Sequence, residues 1–128
     1  WTDLPPTEVL ARSESALLTG LRDWSRLSKQ GGDAVRRVLG TVGTSSPVYA
    51  LRRSLKAFVA QNPDLTEQEL VVEDRLRQAD FLAYSAVFAE SSGSACPEPE
   101  DEKRRRSCAE YYLELSRSEV EKLLTEVR

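Results

Sequence analysis

Histidine is absent from the 128 residues. That removes the commonest general base, the Ser-His and Cys-His nucleophile pairs, and most zinc and haem sites. Methionine is absent too. A chain that opens on Trp1 without Met reads as a fragment or as a protein that has shed a leader, as imported and secreted proteins do. Cysteine occurs only at Cys96 and Cys108. Two thiols without histidine make a poor metal site. An oxidising compartment lets them pair, a reducing one leaves two free thiols, and spacing alone does not fix the geometry. No apolar run approaches the roughly 20 residues that cross a bilayer. A net charge of −3 is too mild to imply a nucleic-acid partner.

What is present is a globular balance, 40% apolar against 30% charged. The length suits one domain, residues 1–128, with its own core. The chain is organised around the stretch from Leu65 to Glu90, its longest run without Gly or Pro. Thr66 and Glu69 have capping-box spacing, and Leu65 and Leu70 flank them as a hydrophobic staple. Val72, Leu76, Ala79, Ala83 and Val87 recur three or four apart. That predicts an apolar helical face, widened near its end by Phe81, Leu82, Tyr84 and Phe88. Ser91, Ser92 and Gly93 stop the helix.

Ahead of it, Thr7 is the candidate N-cap of a first helix carrying Leu10, Leu17, Leu21 and Trp24 and ending near Lys29 at Gly31 and Gly32. Trp24 reads as a core anchor of that stripe rather than a docking aromatic. A short piece, Ala34 to Leu39, is interrupted by Gly40 and Gly43. Pro47 then reopens a helix with Ser46 as cap, where the missing amide costs nothing. Val48, Leu51, Leu55, Phe58 and Val59 continue it to Asn62 and Pro63, so the two pieces count as one broken element. Ser91 to Glu102 is polar, acidic and Pro-broken, a surface loop. A last helix from about Ser107 gathers Cys108, Tyr112, Leu115 and Leu123 on one face. A Cys96–Cys108 bridge, if made, closes a loop of about a dozen residues, worth on the order of 3 kcal/mol. No strand pattern appears. The expected fold is all-α, an up-down-up-down four-helix bundle with a broken second helix.

No catalytic or cofactor constellation stands out. Asp80, the one acid set between apolar neighbours, lacks the second carboxylate that acid–base work needs and reads as a partner for a basic side chain. The Gly-rich insert lacks the spacing and the Lys of a phosphate loop. From Ala34 to Pro63 there are five basic residues and no acid: Arg36, Arg37, Arg52, Arg53 and Lys56. Either they present a positive side for docking on an acidic protein surface, or they pair with acids of neighbouring helices.

The run VRRVLGTVGTSSPVYALRRSL, Val35 to Leu55, resembles the second-helix region of the PsbQ-like extrinsic proteins of photosystem II, above all the algal type. ADFLAYSAVFAE resembles their third helix. AEYYLELSRSEVEKLL, Ala109 to Leu124, resembles their fourth. The resemblance implies a four-helix bundle without cofactor or catalysis in the chloroplast thylakoid lumen. It implies attachment to the photosystem II core and other extrinsic subunits, peripheral to the membrane, in support of calcium and chloride retention at the oxygen-evolving complex. The acidic loop and the Gly-rich break depart from the family pattern. A peripheral subunit of another photosynthetic complex, such as photosystem I with its antenna, is the alternative of the same class. A helical adaptor domain and a small helical enzyme are alternatives of other classes.

Overall fold

The computed structural model describes residues 4–92 and 108–127. Among them every regular element is helical: α1 (Pro6–Arg22), α2 (Trp24–Gln30), α3 (Gly32–Val38), α4 (Leu51–Gln61), α5 (Thr66–Ser92) and α6 (Cys108–Val127). Two 3-10 turns, Pro47–Ala50 and Pro63–Leu65, lead into α4 and α5. The loop from Gly93, the basic run Lys103 to Arg106 and the Cys96–Cys108 pairing lie outside the described residues.

The N-cap of α1 is Pro5, not Thr7. The Pro5 carbonyl accepts from the amides of Glu8 and Val9, at 3.0 and 3.1 Å. Pro6 takes the first helical position, where a fixed φ and a missing donor do no harm, so the helix starts before Thr7. Val9, Ser13, Leu17 and Gly20 form its buried line. The expected single first helix is two. At Asp23 the backbone leaves helical geometry (φ −95°, ψ 15°) while the amides of Arg26 and Leu27 turn to the Asp23 carbonyl. The Asp23 carboxylate makes no capping hydrogen bond to the backbone and instead pairs with Arg26 at 2.7 Å. Trp24, just past the break, is buried in the core.

Gly31, at φ 99°, ends α2, and Gly32 then lets α3 lie against α5. A Cβ on Gly32 would stand 2.2 Å from the Ala83 carbonyl oxygen. Further on, Gly40 adopts φ +75°, and a Cβ there would meet the Tyr49 amide nitrogen at 2.3 Å. The chain doubles back at that point to the 3-10 turn. Ser46 fastens the return: its hydroxyl donates to the Val38 carbonyl at 2.6 Å and accepts from the Val48 amide at 3.2 Å. The turn capped by Ser46 at Pro47 begins as 3-10 and becomes α-helical only at Leu51.

Thr66 is not the cap of α5. It already has helical dihedrals (φ −58°, ψ −44°), and its hydroxyl donates to the Pro63 carbonyl at 2.6 Å. The 3-10 turn at Pro63 supplies the first turn instead. Leu70 is exposed, so it staples nothing. The buried line of α5 is Val72, Leu76, Ala79, Ala83 and Ala86; Phe81, Tyr84 and Phe88, expected to widen that face, are exposed. The alanines prevail because α5 is approached closely by two helices. On one side α6 runs antiparallel, with Ser116 donating to the Ala79 carbonyl at 2.8 Å and Arg75 reaching Glu119 at 3.2 Å. On the other, Gly32 faces Ala83 and Arg36 faces Asp80, so α3 is antiparallel too. Large side chains on the inner face would push both away.

On α6 the buried line is Leu113, Ser116, Val120, Leu123 and Leu124, while Leu115, expected inside, is exposed. α1 packs on α4 and α6 and completes the core, where Leu17, Leu39, Leu51 and Leu123 are the largest fully buried side chains. No helix among the described residues is long and apolar enough to cross a membrane.

Candidate functional site

The five basic residues of the acid-free stretch divide three ways. Arg36 is largely buried and committed: its Nε donates to Asp80 at 2.9 Å, a second nitrogen lies 3.6 Å from Asp33, and its guanidinium sits 5.0 Å from the centre of the Tyr84 ring. Thr41 also donates to Asp80. This cluster ties α3 and the Gly40 return to α5, which is the bland role of a basic residue in a helical protein. Arg52 reaches across to Glu73 at 3.6 Å from a mostly exposed position. The Glu73 end of this pair is largely buried, and at 3.6 Å the contact is too long for a hydrogen bond.

Arg37, Arg53 and Lys56 are exposed and make no ion pair among the described residues. Arg53 and Lys56 stand one turn apart on the outside of α4, where residues three apart are neighbours. Arg37 lies elsewhere, on the rim of an open cleft of about 510 Å³ between α1, α2, α3 and the Pro47 turn. Arg12 and Arg26 line the same cleft, paired along their own helices with Glu8 at 2.9 Å and Asp23 at 2.7 Å. Gly20 lies in its wall. Sequence reasoning grouped Arg37 with Arg53 and Lys56 by position in the chain. It missed Arg12 and Arg26, which only the tertiary fold brings beside Arg37.

A second cleft, of about 390 Å³, opens between the Leu39–Tyr49 return, α4 and α5. Arg52, Glu73, Arg77 and Asp80 line it with Tyr49. One Glu73 carboxylate oxygen is buried there with no hydrogen bond among the described residues. The charges in this cleft are mixed in sign and three of the four, Arg52, Glu73 and Asp80, are already paired, so it offers no acid–base couple of the kind that separated environments create. Among the described residues no three His, Cys, Asp or Glu side chains come together to hold a metal ion.

A third feature is apolar. Phe81, Tyr84 and Phe88 are 61%, 51% and 69% exposed, on the side of α5 turned away from the core. Their spacing was legible in the sequence, but periodicity assigned them to the inner face. Comparison with models of known protein families, with curated proteins and with solved structures finds no match.

Proposed function

We propose that this protein is a non-catalytic subunit that docks on a larger assembly through a positive surface on α4, and that its helices act as four arms of one bundle, with α1–α2 and α3–α4 as two broken arms. The observation that carries the reading is the pair Arg53 and Lys56: exposed, one turn apart, without ion-pair partners among the described residues, in a stretch with no acid from Ala34 to Pro63. The rest of the chain carries a net −8, since the whole is −3 and this stretch is +5. A domain so polarised approaches an acidic partner in a preferred orientation, and its binding weakens with salt.

The assembly named by the resemblance of Val35–Leu55 and Ala109–Leu124 is photosystem II. In that reading the protein is an extrinsic lumenal subunit that supports calcium and chloride retention at the oxygen-evolving complex. Photosystem I with its antenna is the second candidate assembly, and a helical adaptor role outside photosynthesis is the third reading.

The test is rebinding to salt-washed thylakoid membranes. Wild-type protein is expected to leave at high salt and return at low salt to photosystem II. The Arg53→Glu, Lys56→Glu double variant is expected to return about tenfold more weakly, because two favourable rim charges become repulsive. Binding that ignores both salt and reversal removes the α4 surface from the mechanism. Co-purification with photosystem I, or with no photosynthetic complex, removes the photosystem II assignment.

A further inference from the structure

α5 is apolar on two opposite sides. Its buried line is Val72, Leu76, Ala79, Ala83 and Ala86. Two residues back, about 200° around the helix, a second line of the same four-three spacing runs Leu70, Asp74, Arg77, Phe81, Tyr84 and Phe88, and all six are exposed. A four-three repeat is the seam spacing by which two helices pair. The line covers about 27 Å of helix. Its leucine and three aromatics together expose about 500 Å² of mostly apolar surface, with Asp74 and Arg77 standing between Leu70 and the aromatics.

The line is also a palindrome in chemical sense. We infer that α5 pairs with α5 of a second copy of this chain, antiparallel, about a two-fold axis at the level of Ala79. In that arrangement Leu70 meets Phe88 of the other copy, Asp74 meets Tyr84, and Arg77 meets Phe81. Each of the three pairings is complementary. Leucine packs on phenylalanine. The Tyr84 hydroxyl donates to the Asp74 carboxylate, and the Arg77 guanidinium lies over the Phe81 ring. Asp74 and Arg77 make no ion pair among the described residues, so both are available. A parallel pairing would instead set Asp74 against Asp74 and Arg77 against Arg77. The two copies of Asp80 come near the axis, and each is already neutralised by Arg36 at 2.9 Å. Burying the line on both copies removes about 1,000 Å², the lower edge of a specific interface, so the pairing is expected to be weak, with a dissociation constant no tighter than about micromolar. This surface does not involve Arg53 or Lys56, so dimerisation stands or falls independently of docking.

Sedimentation equilibrium of the full chain at about 100 μM, well above a micromolar dissociation constant, is expected to give twice the 14.3 kDa chain mass. Phe81→Glu is expected to weaken the dimer about thirtyfold or more, with an unchanged circular dichroism spectrum because the side chain is exposed in the monomer. Mixed Leu70→Cys and Phe88→Cys variants are expected to cross-link to each other, mapped by mass on the peptides that contain those residues, while Leu70→Cys does not link to itself. A monomeric wild type, a dimer indifferent to Phe81→Glu, or Leu70→Cys self-linkage overturns the inference. So does protection of the stripe only when a different protein is bound.

Discussion

Gly32→Ala tests the close approach of α3 to α5. The added methyl would lie 2.2 Å from the Ala83 carbonyl oxygen and 2.7 Å from Val87 Cγ2. The first obstacle is backbone inside a long helix that is also held by α6, so it does not yield by a rotamer change. Restoring ordinary contact needs a shift of more than about 1 Å between α3 and α5. That shift would also pull at the Arg36–Asp80 pair one turn along. Overpacking of this kind costs about 1–3 kcal/mol, occasionally more. The intrinsic preference of a helix for Ala over Gly returns at most about 1 kcal/mol. A backbone obstacle belongs at the upper end of the first range, so the expected net loss is about 2 kcal/mol. For a chain of this length that lowers the unfolding midpoint by about 7 °C. The comparison is Gly20→Ala, also inside a helix. Its methyl would meet Val38 Cγ1 at 3.1 Å, and that atom is a side-chain methyl able to give by a few tenths of an ångström. It is expected within about 1 kcal/mol of wild type. Thermal unfolding followed by far-UV circular dichroism reads both. A Gly32→Ala protein as stable as wild type, or more so, would show that α3 does not lie on α5 as described.

Other perturbations separate the contributions of individual groups. Ser116→Ala removes the hydroxyl that donates to Ala79 at 2.8 Å inside the α5–α6 interface and is expected to cost about 1 kcal/mol in urea unfolding. Ser13→Ala, by contrast, deletes a buried hydroxyl oxygen that has no hydrogen-bond partner among the described residues, so it is expected to be neutral or to stabilise by up to about 1 kcal/mol. Equal losses from the two serines would contradict that hydrogen-bond assignment. Leu17→Ala empties a fully buried site in the core and is expected to cost about 2–5 kcal/mol; a loss under about 1 kcal/mol would place Leu17 outside it. Asp80→Ala leaves Arg36 at the α3–α5 contact with only Asp33 at 3.6 Å and the Tyr84 ring and is expected to cost about 1–3 kcal/mol, less than a fully buried pair because both side chains keep some water. A double-mutant cycle with Arg36→Ala should show coupling between the two, and strict additivity would deny it.

The all-helical character was legible in residue spacing, and so were most of the punctuation marks. Ser46 before Pro47, the glycines at 31 and 40, and Asn62 before Pro63 act where the sequence places them, because a missing amide and a positive φ are properties of single residues. Asp23 was harder to read. It sits inside a continuous apolar period, and nothing local distinguishes a polar-face aspartate from one that lets the ladder turn. The Thr66–Glu69 spacing misled for a related reason: capping chemistry was present, but Pro63 upstream had already started the turn.

The candidate surfaces show the division most clearly. A 3.6-residue period states that α5 carries apolar residues on a face. It does not state which of two such faces is inside when both exist. Ala79, Ala83 and Ala86 are buried because α6 and the Gly32 end of α3 come within backbone reach, and only small side chains allow that. Phe81, Tyr84 and Phe88 were thereby left outside. In the same way the sequence alone determines that residues 34–63 hold positive charge without acid. Only the fold decides that Arg36 is consumed by Asp80, that Arg52 leans on Glu73, and that Arg53 and Lys56 remain facing water. Charge and period are local and follow from residue type. Which groups find partners depends on contacts between residues some forty positions apart, as Arg36 and Asp80 are, and the chain closes those contacts only when it packs.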